Sequence, residues 1–136
     1  MKENNIIKAK IITIGDELLL GQVVNTNASW LGEQLNLNGF QLESVLTIGD
    51  GEKDIMDALY SCSDTNIVII TGGLGPTADD ITKPTLCKFF DTELVLNNDA
   101  LENINEIFKL RGYVMTERNR LQAFIPKSCT YIPNRF

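Results

Sequence analysis

Ile67-Val68-Ile69-Ile70-Thr71-Gly72-Gly73-Leu74-Gly75-Pro76-Thr77-Ala78-Asp79-Asp80-Ile81-Thr82 decides the fold. Four consecutive β-branched residues form the kind of apolar run found where a strand is covered on both sheet faces. The run stops at a glycine-rich bend. Beyond it Asp79-Asp80 opens a helix predicted to bury Leu86, Phe89 and Phe90, with Pro84 early enough to be tolerated in its first turn.

The same alternation extends in both directions. Lys10-Ile11-Ile12-Thr13-Ile14 is a predicted strand ended by Gly15-Asp16, and Asn25 or Thr26 caps a helix carrying Trp30, Leu31, Leu35 and Leu37 up to Gly39. Phe40 to Ile48 is a second strand, and Asp50 sits where an N-cap would for a helix facing inward with Ile55, Leu59 and Cys62. Leu94-Val95-Leu96 is a short edge strand. Asn97 to Asp99 cap a helix with Leu101, Ile104, Phe108 and Leu110 inward, ended by Gly112; a helical piece follows from Thr116 to Phe124, and Thr130-Tyr131-Ile132 reads as a last strand. Strands alternating with helices predict an α/β fold, a mostly parallel sheet between helical layers.

Composition bounds the chemistry. The chain has 136 residues, enough for one domain with its own core, and its 43% hydrophobic and 22% charged residues are globular values. A net charge of -6 repels a nucleic-acid backbone, so nucleic acid is excluded as a general partner. No apolar run nears the ~20 residues of a membrane span, and MKENNIIKAK lacks a signal peptide's apolar stretch, so a cytoplasmic location is expected. There is no histidine, which removes Ser-His-Asp, Cys-His and histidine-zinc chemistry together. Cys62, Cys87 and Cys129 are isolated and read as reduced thiols serving as small apolar residues.

In an open α/β sheet, ligands bind beyond the carboxyl ends of the strands. Gly15-Asp16-Glu17, Gly49-Asp50-Gly51 and Thr71 to Thr82 fall there and are expected to share one crevice. Gly72, Gly73 and Gly75 leave the backbone free for positive φ and clear of Cβ atoms, so N–H groups beside Thr71 and Thr77 can turn toward a phosphate. A tight strand-to-helix turn is the plainer explanation of the same glycines. The loop lacks a Walker lysine. Gly73-x-Gly75-x-x-Ala78 fits the dinucleotide pattern only loosely, on the third βα unit and with Pro76 removing an N–H, which argues against a dehydrogenase.

Asp16, Glu17, Asp50, Asp79 and Asp80 surround that crevice. Several acids around an anionic ligand make electrostatic sense with a divalent cation between them, and an oxygen-only ligand set suits magnesium, manganese or a similar ion. Helix capping is the competing role for Asp50 and Asp79. Asn119 and Gln122, three apart, could place amides on a ribose or base, or simply lie on the surface. Trp30 is expected in the core, and Arg118 and Arg120 in solvent.

Gly15-Asp16-Glu17-Leu18-Leu19 with Gly21 and Asn25-Thr26-Asn27, then Gly49-Asp50, the Thr71 to Thr82 motif, and Asn119-x-x-Gln122-Ala123 together resemble the CinA competence/damage-inducible family. The likeness is to its N-terminal domain, which is similar to the molybdopterin-binding domains of molybdenum cofactor biosynthesis. It implies a three-layer α/β/α sandwich and a homo-oligomer, dimer or trimer. It also implies a small phosphate ligand, ADP-ribose or molybdopterin-like, contacted by Gly15, Asp16, Glu17, Asn27, Thr71, Gly72, Gly73, Gly75, Thr77, Thr82, Asn119 and Gln122. Metal-dependent ADP-ribose pyrophosphatase activity is the implied chemistry, with Asp50 and Asp80 catalytic and a magnesium, manganese or cobalt ion on Asp16, Asp50 and Asp80. A pterin- or nucleotide-binding module without turnover is the alternative. Family members continue past Pro133-Asn134, so residues 1–136 are expected to be a single but incomplete domain.

Overall fold

The computed structural model describes residues 6–74 and 81–135. The chain divides into two compact units, Met1–Gly73 and Leu74–Phe136.

The first unit is built on a parallel three-stranded sheet of order β2-β1-β3, formed by β1 (Lys8–Ile14), β2 (Gln41–Ile48) and β3 (Ile67–Thr71). Residues paired across a sheet share a face. Ala9 and Ile11, with Leu42, Val45, Ile67 and Ile69 beside them, therefore form one side. Helix α2 (Thr26–Leu37) covers it, burying Ala28 and Leu35 with Leu31 and Phe40 packed alongside. Ile12 and Ile14, paired with Leu46, Ile48 and Ile70, form the other side. Helix α3 (Glu52–Tyr60) lies there and buries Ile55, Ala58 and Leu59. Lys10 also faces that side, but its stem reaches out so that Nζ donates to the Ser61 carbonyl at 3.2 Å and to Asp64 at 3.1 Å. A parallel sheet with a helix on each face is the arrangement that its apolar runs demand.

Local signals work as expected in this unit. Asn25 caps α2 by accepting from the Ala28 N–H at 3.1 Å, and Gly39 ends it at φ 81°. The break in alternation between Leu42 and Val45 is a register shift, with Ala9 opposite Leu42 and Lys10 opposite Ser44. Trp30 corrects one expectation. It is 61% exposed, because the inward stripe of α2 runs through Ala28, Leu31, Gly32 and Leu35 and Trp30 falls outside it. Leu37 is exposed as well. A short helix, α1 (Asp16–Leu19), follows β1 where only a loop was expected.

In the second unit α4 (Thr82–Phe89) buries Thr82, Thr85 and Cys87, leaving Leu86 and Phe89 half-buried and Phe90 exposed. β4 (Leu94–Leu96) pairs antiparallel with β5 (Phe124–Pro126). Between them lie α5 (Asn98–Leu110), capped by Asn97, then α6 (Glu117–Arg120) and a 3-10 turn over Leu121–Ala123. Two expectations change here. Phe124 to Pro126 is a strand rather than a helix end, paired through Leu96 and Phe124. Thr130 to Ile132 is not a strand; Tyr131 instead donates its hydroxyl to Asn103 Oδ1 on α5, and Ile132 is exposed. Leu110 is also exposed, not inward. Cys62 and Cys87 are buried free thiols, with burial pushing the Cys87 thiol above its ordinary value, and Cys129 is exposed. Among the described residues no helix is long and apolar enough to cross a membrane.

Candidate functional site

Because β1, β2 and β3 run parallel in register, with Ile14 opposite Ile48 and Thr13 opposite Thr71, their carboxyl ends reach one edge of the sheet together. Gly15, Gly49 and Gly72 each follow one of these ends. The Gly15 N–H donates to the Ile48 carbonyl at 3.0 Å, continuing the β1–β2 ladder into the loops.

At that edge two aspartates bind each other's backbone. The Asp16 N–H donates to Asp50 Oδ1 at 3.1 Å, and the Asp50 N–H donates to Asp16 Oδ1 at 3.3 Å. Two like charges are thus held in neighbouring loops by amide dipoles, and a carboxylate with one such bond keeps further lone pairs for a cation or a donor. Both residues are exposed. This arrangement corrects the capping role open to Asp50: the N-cap of α3 is Gly51, without a side-chain cap bond, so the Asp50 carboxylate serves the β1 loop rather than its own helix.

Gly72 has φ 88° and Gly73 φ 61°, as a sharp turn out of β3 requires. The bareness of Gly72 has a specific use. A Cβ there would overlap the Ile14 carbonyl oxygen, so the missing side chain lets the β3 bend close over the end of β1. It clears backbone, not the space for a ligand that the sequence suggested. Gly75, Thr77 and Asp80, with Pro76, Ala78 and Asp79, lie outside the described residues, so the proposed amide cradle is described only as far as Leu74.

One acid was missed from sequence. Asp54, in the first turn of α3, converges with Asp16 on Gly49: a Cβ at Gly49 would stand 2.9 Å from Asp16 Oδ1 and 3.3 Å from Asp54 Oδ2. An open depression of about 400 Å³ borders it, lined by Leu19, Ile48, Gly49, Asp54, Ala58 and other residues of β2 and α3. The signal was Gly51-x-x-Asp54, an acid one turn into the helix after the loop. Lys53 on the same turn does not offset these charges, since Asp57 pairs with it at 2.6 Å and holds its ammonium above the usual lysine range. Among the described residues no group of three or more acids or cysteines is close enough to enclose a metal ion.

The remaining candidates are placed as follows. Glu17 is exposed on α1, Asn27 is exposed in the first turn of α2, and Thr71 ends β3. Thr82 is buried at the start of α4. Asn119 is engaged in a capping box, its side chain accepting from the Thr116 N–H at 3.2 Å while its own N–H donates to Thr116 Oγ1 at 3.3 Å. Gln122 lies in the 3-10 turn, where its carbonyl accepts from Lys83 Nζ at 3.1 Å. Asn119 and Gln122 therefore do not share one helical face, because the helix tightens at Leu121. Arg118 and Arg120 are exposed as expected.

The family described as "probable molybdopterin binding domain" matches residues 10–127. The chain belongs to this family. Within it, the chain is 45% identical over 133 residues to a CinA-like protein of Cytophaga hutchinsonii, covering 97% of this chain and 32% of that protein. It is 44% identical over 128 residues to a competence-damage inducible protein of Caldicellulosiruptor saccharolyticus, covering 93% and 31%. The chain thus spans about a third of the length of these curated relatives. Among solved structures, CinA of Thermoplasma acidophilum, a protein of unknown function, superposes with a TM-score of 0.82 at 34% identity over 97% of this chain and 78% of that one. The CinA resemblance read from the sequence is thereby established. The fold is also that of the tungsten cofactor synthesizing protein MoaB from Pyrococcus furiosus, with a TM-score of 0.61 at 20% identity over 79% of this chain and 66% of that one.

Proposed function

We propose that this molybdopterin-binding-family domain holds a small phosphate-bearing ligand, pterin-like or nucleotide-like, at the carboxyl edge of the β2-β1-β3 sheet, together with a divalent cation. The observation that carries the proposal is the reciprocal Asp16–Asp50 bonding between two loops at that edge, with neither carboxylate used to cap the helix that begins beside it. Asp16, Asp50 and Asp80 would hold the cation, with magnesium, manganese or cobalt suited to such an oxygen set. When bound, the cation offsets the acids against the ligand's phosphate. The chain's own part is to fix the β1 and β2 loops relative to each other, so that the site is formed before the ligand arrives. Glycine-loop amides and the Thr71, Thr77 and Thr82 segment would supply the phosphate contacts.

Hydrolysis of an ADP-ribose-type pyrophosphate is the finer reading. The acid-rich rim of Asp16, Glu17, Asp50 and Asp54 favours it, since a pterin pocket without turnover has no need of so many carboxylates. Calorimetry with ADP-ribose and with molybdopterin in the presence of Mg²⁺, run beside an assay for AMP release, tests both parts. Asp50→Asn is expected to weaken ligand binding at least tenfold with the fold intact by circular dichroism. Unchanged binding in both Asp50→Asn and Asp16→Asn would overturn the site. Binding without AMP would leave a receptor in place of an enzyme.

A further inference from the structure

The segment between the Asp16 loop and α2 carries a surface that neither the sheet nor the ligand site explains. Residues 18–32 form a fifteen-residue stretch with no charged side chain, in a chain of net charge -6. Within it Leu19 is 57% exposed, Leu20 70%, Val23 53% and Val24 81%, and Trp30, one helical turn beyond Thr26, is 61% exposed. At about 150–250 Å² for a large side chain, these five residues present on the order of 500 Å² of apolar surface, enough to mark an interaction site on a monomer. It is also more than half of the ~800 Å² that each partner contributes to a standard interface.

We propose that this patch is a self-association surface, with a second copy of the chain as its occupant. Charge and area together select that partner. Two copies of an acidic protein repel each other except where both are uncharged, and an isologous contact needs one patch that complements itself. A charge-free apolar strip meets both requirements, whereas a basic partner would find nothing here to pair with. The patch is also continuous with the proposed site: Leu19 ends the four-residue helix that Asp16 begins, and its Cδ1 lies 3.7 Å from where a Cβ at Gly49 would stand, beside Asp16 Oδ1. Seating a second copy on Leu19 and Leu20 would immobilise the helix that bears Asp16. The proposal itself does not depend on what the site binds.

Sedimentation velocity of the chain over a wide concentration range at physiological salt tests it. The expected result is a reversible association to a multiple of the 15.2 kDa protomer mass. It should strengthen slightly as salt rises, because salt screens repulsion and no ion pair is lost. Val24→Glu should raise the dissociation constant at least 100-fold, and Val24→Ser, milder and safe for folding, about tenfold. Leu110→Glu on α5, at a site 87% exposed, should leave it unchanged. A chain monomeric at all concentrations, a Val24→Glu variant that associates like wild type, or loss of association in Leu110→Glu would each overturn the proposal. So would capture of the patch by neutral lipid vesicles without self-association.

Discussion

The two compact units are held by different forces. In the first, Ala9, Ile11, Ile12, Ile14, Leu35, Ile55 and Leu59 are all buried, on both faces of one sheet. In the second the buried residues are small or hydroxylated: Thr82, Thr85, Cys87, Ala100 and Ala123. Polar side chains tie its segments instead. Lys83 donates to the Gln122 and Phe124 carbonyls at 3.1 and 3.0 Å, and Asn103 accepts from Tyr131 and from the Asn134 N–H while donating to the Asn134 carbonyl. Burial of apolar surface is stronger and non-directional, whereas a hydrogen bond contributes only about 1 kcal/mol net but fixes geometry. The aspartate pair thus sits on the more strongly held unit, and a carboxylate pair needs that rigidity to keep its loops in place.

The largest effect should come where backbone meets backbone. Gly72→Ala is expected to cost about 4 kcal/mol or more in urea denaturation. The left-handed conformation alone costs about 1–2 kcal/mol for an L-residue, and overlap with the Ile14 carbonyl adds to it. Gly112→Ala in the second unit has a similar φ of 71° but nothing within 4 Å of its Cβ, so it should cost only the conformational part, about 1 kcal/mol. Equal losses at the two glycines would show that the close approach at Ile14 is unimportant.

Core truncation sharpens the same contrast. Ile11, fully buried between α2 and the neighbouring strands, should lose about 2–5 kcal/mol on replacement by Ala. Ile104 on α5 is only half-buried and should lose less than half as much. Chemical denaturation of both variants checks the ratio. A cost at Ile104 as large as that at Ile11 would remove the distinction between the two units.

Much of this was legible in the sequence for the same reason. The β1, β2 and β3 runs are continuous or nearly so in β-branched and aliphatic residues, and caps such as Asn25 and stops such as Gly39 act within a few residues, so local chemistry determines them. The Asp16–Asp50 proximity followed from both residues lying at strand ends of one parallel sheet. Their reciprocal bonding did not, because it depends on loop geometry 34 residues apart in the chain. Trp30 was misplaced because bulk is a poor guide to which stripe of a helix faces the sheet. Tyr131 was misread as strand because its β-propensity is outweighed by one hydrogen bond to Asn103, a partner that no local pattern announces.

That bond predicts a local rather than a global effect. Asn103→Ala removes the acceptor and donor that hold Tyr131 and Asn134, at about 1–3 kcal/mol for the groups left unpaired. Hydrogen exchange near residue 134 should rise sharply while β1 amides keep their protection. If β1 amides accelerate equally, the two units unfold as one and the contrast in their cohesion has no consequence for opening.

The smallest effect concerns the single ion pair beneath the sheet of the first unit. Lys10 bonds Asp64 and holds its carboxyl below the ordinary carboxylate value. A group whose value is depressed on folding stabilises the protein above its unfolded value, and that stabilisation disappears as pH falls through the lower folded value. Asp64→Asn should therefore lower the melting temperature slightly at neutral pH and leave it unchanged in strong acid, where wild type has lost the same interaction. Asp64 is exposed and salt screens it, so the neutral-pH difference should shrink further at high ionic strength. A difference that persisted in acid would mean that Asp64 contributes through the Lys10 stem packed on the sheet and not through charge, which would make even this polar contact part of the apolar cohesion of the first unit.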